Sequence, residues 1–508
     1  MKRYILAHDL GTTGNKATLY DDQGTLVSSA FFGYDTKYAQ VGWAEQNPED
    51  WWQAVCASTH ELLQKAHIAR DEVACIVFSG QMMGCVPIDR KGQALRDAII
   101  WADQRAVEQT QWMAKQIGPE EVYRITGHRL SPSYSAAKML WIRDHQPDLY
   151  AKTHKFVHAK DAIVARLTGA FVTDCSDAAG MNLYDLERGE WSEAILQAVK
   201  IDPTQLPEVH QSIDVVGEVM SDVAEEVGVS VDTPVVIGGG DGACAAAGAG
   251  IVREGSAYNY IGSSSWIGLA TKAPIYDPTM RTFNWAHLVP GFFSPTGTMQ
   301  TAGGSYQWTR DQLCPLEVEC AAKLGVSPYE LMNLEADQSP IGARGLIFLP
   351  YLLGERSPHW NPNARGAFIG LTMTHKRADM IRAVLEGVAL NLRVVLEAFL
   401  DQGAKIEAIR VIGGGARSKL WNQIMANVYG RVILRPALLE EATSMGAAIA
   451  GGVGVGLFPD FSVAERLTPI AVTTEVDPEA KAAYDRLYKV FEAAYPALAP
   501  IYDRIAEL

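Results

Sequence analysis

The sequence predicts an α/β protein of two similar lobes with a ligand cleft between them, and three observations carry this. Short β-rich runs alternate with amphipathic helical stretches along the chain, the pattern of sheets covered by helices. Each half opens with a strand, a turn of Gly with Ser or Thr, and a second strand. In the first half these are residues 4–9, Gly11-Thr12-Thr13-Gly14 and 16–20; in the second they are 257–261, Gly262-Ser263-Ser264-Ser265 and 266–270. The length, 508 residues, suits two or three domains, each able to bury a core of its own. The boundary is placed near residue 250, giving lobes 1–250 and 251–508. A cleft between such lobes is a natural ligand site.

The elements follow in order. Residues 26–30 form a third strand after the turn Asp21-Asp22-Gln23-Gly24. The next helix has Asn47 as N-cap, Pro48 at its first position and acidic Glu49 and Asp50 in its first turn. It runs through Trp51-Trp52 toward Lys65. Residues 73–79 are a continuous apolar run, as in a strand buried on both faces. Halfway along, the strand 233–237 ends in Gly238-Gly239-Gly240-Asp241, and a small-residue helix follows over 243–250. Late in the chain the strand 408–412 leads through Gly413-Gly414-Gly415-Ala416-Arg417 into the helix 419–429.

Composition excludes several classes. Lys and Arg number 44 against 59 Asp and Glu, a net charge of -15, so nucleic acid and anionic membranes are not expected as main partners. A phosphate ligand, bound by a local site, stays compatible. With 48% hydrophobic and 20% charged residues the chain is not a disordered one. None of the seven cysteines is spaced as CxxC, so neither a zinc site nor a disulfide framework is indicated. The N-terminus reads at once as a strand without an apolar signal region, and the uncharged stretch 442–459 is broken by glycines. A soluble, cytoplasmic protein is expected, with a homodimer left open.

The chemistry concentrates at the strand ends. In Asp9-Leu10-Gly11-Thr12-Thr13-Gly14-Asn15-Lys16 the glycines let backbone N–H groups approach an anion, the threonines add donors and Lys16 adds a charge. An acidic residue at such a strand end can hold Mg²⁺ through water; a plain hairpin turn is the bland alternative. The spacing is not that of a P-loop. Gly262-Ser263-Ser264-Ser265 is a second nest, and the glycine run at 413–415 suits a phosphate or a flat ligand. Three such turns together point to a nucleotide. Asp241 is placed to accept a proton from a substrate hydroxyl, or else to cap the following helix. Gln81-Met82-Met83-Gly84 ends the apolar strand, and Trp101, Asp103 and Arg105 lie within five positions. That mix of an apolar ring with fixed donors and acceptors suits a sugar; core filling by the methionines and a surface ion pair are the alternatives.

Together these motifs resemble the FGGY family of carbohydrate kinases over nearly the whole chain. The most specific segment is Gly366-Ala367-Phe368-Ile369-Gly370-Leu371, followed by Asp379-Met380 and Ala383-Val384-Leu385-Glu386. Also similar are residues 348–359, including Gly354-Glu355-Arg356-Ser357, then Ser176-Asp177-Ala178-Ala179-Gly180 and Ile412-Gly413-Gly414-Gly415-Ala416-Arg417-Ser418. The wording is closest to the family's xylulose kinases. The resemblance implies two actin-like (ribonuclease H-like) domains and ATP with Mg²⁺ as cofactors. It implies a first lobe that binds the sugar and a second that binds the nucleotide.

The same resemblance implies roles for particular residues. Asp241 matches the catalytic base, and Asp9 the carboxylate near Mg²⁺. Gly11, Thr12, Thr13 and Lys16 match the first phosphate loop, and Gly262 and Ser263 the second, where Ser265 stands in place of a usual glycine. Gly303 and Gln307 fall near ATP, and Gly414 and Gly415 lie against the adenosine. Gln81, Met82, Met83, Trp101, Asp103 and Asp241 are the expected sugar contacts, and Met83 departs from the Gln-Met-His-Gly of xylulose kinases. The expected reaction is phosphorylation of a sugar hydroxyl by ATP, with a ketopentose such as D-xylulose giving D-xylulose 5-phosphate. L-ribulose, gluconate, glycerol or erythritol as acceptor, and a non-catalytic actin-like ATPase, are the alternatives.

Overall fold

The structure, a computed structural model, describes residues 3–437 and 441–508. The first central sheet is built from β1 (Tyr4–Leu10), β2 (Gly14–Tyr20), β3 (Leu26–Gly33), β4 (Val73–Gly80), β5 (Val215–Glu218) and β6 (Pro234–Gly240). The second contains β7 (Ala257–Ile261), β8 (Ser265–Leu269), β9 (Phe283–Ala286), β10 (Phe293–Met299), β11 (Ala408–Ile412), β12 (Val432–Pro436) and β13 (Ile470–Thr474).

Their orders are β5-β6-β4-β1-β2-β3 and β13-β12-β11-β7-β8-β10-β9. They correspond strand for strand apart from the extra edge strand β9. In both, the opening hairpin is antiparallel and the next two strands run parallel to its first arm. The repeat read from the two hairpins therefore extends to two mixed sheets flanked by helices, an actin-like pair of α/β domains.

Apolar alternation explains how the first sheet is covered. Leu6 and Leu10 of β1 join Trp51 and Trp52 of the helix α1 (Pro48–Ala66) in one core. Ile5 and Ala7, one residue out of phase, join Cys244, Ala447 and Ile449 in another. That second cover is made by α2 (Asp241–Gly248) and α6 (Ala442–Gly454), helices from opposite halves of the chain. They approach so closely that a Cβ on Gly248 would lie 1.7 Å from the Ala442 carbonyl oxygen, and one on Gly446 1.9 Å from that of Cys244. Only glycine fits there. The second sheet packs on α3 (Gly303–Leu313), α4 (Arg377–Asp401) and α5 (Lys419–Tyr429).

The halves also meet at β9. The Tyr123 hydroxyl donates to the Thr282 carbonyl at 2.9 Å, and the Asn284 N–H to that of Gly127 at 3.0 Å. Among the described residues no helix is long and apolar enough to cross a membrane.

Candidate active site

Strand register assembles the floor of the site. Asp9 pairs with Ser79, and Ser79 with Gly239, across three parallel strands; Leu10, Gly80 and Gly240 form the next row. Asp9, near the end of β1, and Asp241, just past the end of β6, thus lie one strand apart, across β4, at the carboxyl ends of the parallel strands, where α/β folds bind ligands. The Ser79 hydroxyl donates to Asp9 Oδ1 at 3.0 Å. Burial raises the Asp9 carboxyl to about 6, although Ser79 and Lys16 pull it down.

The turn after β1 is shorter than expected, because β2 already begins at Gly14. Its carbonyls are tied back into the first lobe. Gly11 O accepts from the Tyr34 hydroxyl at 2.5 Å and from Gln81 Nε2 at 3.4 Å, and Thr12 O accepts from Gln46 Nε2 at 2.6 Å. Among the described residues the N–H groups of Thr12 and Thr13 have no acceptor, which makes them a small nest of donors. Trp101, on the surface, donates its indole N–H to Thr12 Oγ1 at 2.9 Å. Lys16 Nζ lies 2.8 Å from Glu441 Oε1, just ahead of α6, so its charge is met from the other half of the chain.

Asp241 is the first residue of α2, and Gly240 is the N-cap. The capping role considered from sequence therefore falls to its neighbour. Among the described residues Asp241 Oδ1 accepts one hydrogen bond, from the Gly242 N–H at 2.7 Å. Burial, then the charge of Asp9, then that of Asp177 raise its carboxyl from 3.8 to about 7. A carboxyl poised near neutrality at a cleft is suited to take up a proton.

The acceptor-side residues separate. Gln81 is buried, donates to Gln46 Oε1 at 2.8 Å, and keeps its own Oε1 without a partner among the described residues. Met82 packs beneath Gly240, where a Cβ would meet its Cγ at 2.6 Å. Met83 is half-buried in a left-handed conformation (φ 62°), with its carbonyl held by Lys138 Nζ at 2.7 Å. Asp103 is fully buried and offers no free carboxylate: Arg105 forks onto both its oxygens, and the Ala44 N–H donates to Oδ2 at 2.6 Å. Arg105 also stacks on Trp43 at 3.6 Å and pairs with Glu45 at 2.7 Å. The ion pair foreseen for Asp103 and Arg105 exists, but it lies inside the protein and locks the segment that carries Trp101.

Sequence reasoning missed the wall beside Met83. The Met83 side chain and Trp285 of β9 each come within 3.4 Å of a Cβ placed on Gly180. Trp285 stands edge-on to His128 at 4.2 Å, and the Tyr134 hydroxyl bonds His128 Nδ1 at 2.9 Å. Arg356, near Glu355 and Tyr134, has a buried Nε with no hydrogen-bond partner among the described residues. Arg356 was visible as part of Gly354-Glu355-Arg356-Ser357; Trp285, His128 and Tyr134 carried no local signal.

In the second lobe the Gly262–Ser263 turn is clamped onto the head of α3. The Gly303 N–H donates to Gly262 O and that of Gly304 to Ser263 O, each at 2.9 Å. A Cβ on Gly303 would lie 2.3 Å from Gly262 O, so glycine is required. Ser265 is accommodated as the buried start of β8, its hydroxyl donating to Tyr260 O at 2.5 Å. Gln307 is exposed one turn along α3. Gly414 is exposed, and a Cβ placed on it would meet nothing within 4 Å, whereas Gly415 rests on Ile261.

Residues 4–248 match the N-terminal domain of the FGGY family of carbohydrate kinases, and 257–455 match its C-terminal domain. The chain belongs to the FGGY family of carbohydrate kinases. It is 33% identical to the xylulose kinase of Bacillus subtilis (strain 168) over 90% of this chain and 89% of that protein. It is 31% identical to the gluconokinase of the same strain over 100% and 98%. The gluconate kinase structure from Lactobacillus acidophilus superposes with a TM-score of 0.92 at 29% identity, over 99% of both chains. As an FGGY kinase the protein transfers a phosphoryl group from ATP to a sugar hydroxyl. The preference for xylulose kinases read from the motifs is not singled out, since relatives of both acceptor types match along the chain.

Proposed function

We propose that this FGGY kinase phosphorylates the terminal hydroxyl of an open-chain sugar, with Asp241 as the base and a ketopentose such as D-xylulose as acceptor. The supporting observation is the Asp241 carboxyl, raised to about 7 at the strand ends it shares with Asp9. Asp241 accepts the hydroxyl proton while the sugar oxygen bonds to the γ-phosphorus and the bond to ADP breaks. Such a transfer rests on positioning and charge stabilisation.

The residues present suit Mg²⁺ and ATP. Asp9 and Asp241 are hard oxygen donors that burial leaves short of counter-charge. The free N–H groups of Thr12 and Thr13 suit phosphate oxygens, and the open face of Gly414 suits a flat ring. Mg²⁺, when bound, neutralises charge on the transferring phosphoryl group. Lys16 would exchange Glu441 for a phosphate, while Gly262 and Ser263 approach from the second lobe. In this reading residues 1–250 bind the sugar and 251–508 the nucleotide.

One observation favours an aldonate such as gluconate as a second reading. Arg129 stacks on Trp360 at 5.1 Å, and Arg356, near the Glu355 charge, keeps a buried Nε without a hydrogen-bond partner among the described residues. A coupled ADP-release screen over ketoses, aldonates and polyols tests both readings. Turnover highest on D-xylulose supports the first and highest on gluconate the second; acceptor-independent ADP release alone refutes both.

A further inference from the structure

The first lobe holds a buried ionic cluster whose part in the proposed transfer so far is only the charge of Asp177 felt at Asp241. Lys160, in the helix Ala159–Thr168, is completely buried, with Nζ 2.7 Å from Asp161 Oδ1, 2.9 Å from Asp174 Oδ1 and 3.1 Å from Asp177 Oδ2. His158 Nδ1 closes the group at 3.3 Å from Asp177 Oδ1. Burial works against the Lys160 ammonium, but the three carboxylates outweigh it and hold it protonated. A buried ion cluster is weak evidence for stability in itself, so its other contacts matter.

Those contacts lead to Asp241. Asp174 Oδ2 accepts the Ser176 hydroxyl at 2.6 Å, the Ser212 hydroxyl at 2.8 Å and the Ser176 N–H at 2.9 Å. Ser176 Oγ in turn accepts the Gly240 N–H at 2.9 Å. A hydroxyl has one proton to give. With Lys160 on its other oxygen, Asp174 acts as an acceptor, so Ser176 must donate to it and turn a lone pair to Gly240. That N–H belongs to the Gly239–Gly240 peptide, one residue ahead of Asp241. On its other side the segment is held by β4, with Gly239 opposite Ser79 and Gly240 opposite Gly80, but the strand leading to it is less regular. The register of β6 on β4 is irregular between Val236 and Gly239, and the three residues before Asp241 are glycines.

We propose that Ser176 is a positioning residue, the last link of a chain from Lys160 through Asp174 that fixes the Gly239–Gly240 peptide and, through it, aims the Asp241 carboxylate at the acceptor. This rests on the reading of Asp241 as the base. Ser176 touches neither substrate nor nucleotide in this scheme, so its loss is felt in turnover and not in nucleotide binding.

The test measures kcat, KM for ATP and melting temperature for Ser176→Ala, Asp241→Asn and the double variant, on an acceptor the wild type turns over. Misplacing a reacting group by about an ångström can cost on the order of a hundredfold, and S176A is expected to lower kcat about tenfold or more with KM for ATP within about twofold. The double variant is expected to be no slower than D241N alone, because both act through one carboxylate. Gly239→Ala provides a second approach. Its Cβ would lie 2.9 Å from Ser176 Oγ, disturbing the same hydroxyl without removing it, and the same kcat loss is expected. Wild-type-like kcat in both S176A and G239A, or an S176A loss that multiplies that of D241N, overturns the positioning role alone. Wild-type-like kcat in D241N overturns the base and the positioning role together.

Discussion

Replacing Asp241 by asparagine tests whether its carboxyl serves the reaction or the fold. The side chain is held at about 7 against an ordinary 3.8, through burial first and then the charges of Asp9 and Asp177. A carboxyl whose pKa is raised in the native chain binds its proton more tightly there than in the unfolded one. Its ionisation therefore removes stability progressively from about pH 4 to about pH 7, and the full cost applies above that. Roughly three pK units at about 1.4 kcal/mol each give an upper bound near 4 kcal/mol. Solvent reaching the half-buried carboxylate, and the favourable helix N-terminus, reduce this to about 1–3 kcal/mol.

Asp241→Asn is thus expected to melt higher than the wild type at pH 8, by a few degrees, with the gap closing toward pH 4. Its sugar-dependent ADP release is expected to fall at least about a hundredfold, within the range that base catalysis supplies. In the wild type, kcat should fall as pH drops through about 7, because the base must be ionised. Calorimetry across pH and a coupled ADP assay on one preparation decide the matter. A variant that melts lower at pH 8, or turns over within about tenfold of the wild type, would refute the assignment.

Met83→His is expected to raise kcat/KM on D-xylulose roughly tenfold, the worth of one added hydrogen bond; histidine tolerates the left-handed backbone at φ 62° better than methionine. An unchanged or lower value would mean that the pocket is shaped for another acceptor. Lys16→Ala is expected to raise KM for ATP and lower kcat while sparing acceptor affinity. Its partly exposed pair with Glu441 should contribute no more than about 1 kcal/mol to stability. Loss of acceptor affinity with intact ATP kinetics would place Lys16 elsewhere.

Much of this protein was determined by sequence that acts locally. Short apolar runs and glycine turns specified the two opening hairpins, the buried strand β4 and the approach to Asp241. Asp9 and Asp241 lie at the strand ends and Thr12 in the turn that the sequence marked, and the family was legible from contiguous motifs. The duplication was visible only as two similar hairpins, yet it extends through six corresponding strands.

Only the tertiary structure decided what each of those residues faces. Asp103 is spent on Arg105 and the Ala44 N–H, Lys16 meets Glu441 from the other half, and α6 covers the first sheet. Trp285 reaches His128, and Ser176 reaches Gly240, across long stretches of chain. The physical reason is the range of the signals. Periodicity tells which side of a strand or helix leaves water, and a glycine tells where the backbone must turn or come close. Neither names the partner, which follows from sheet register and helix packing that no single segment contains.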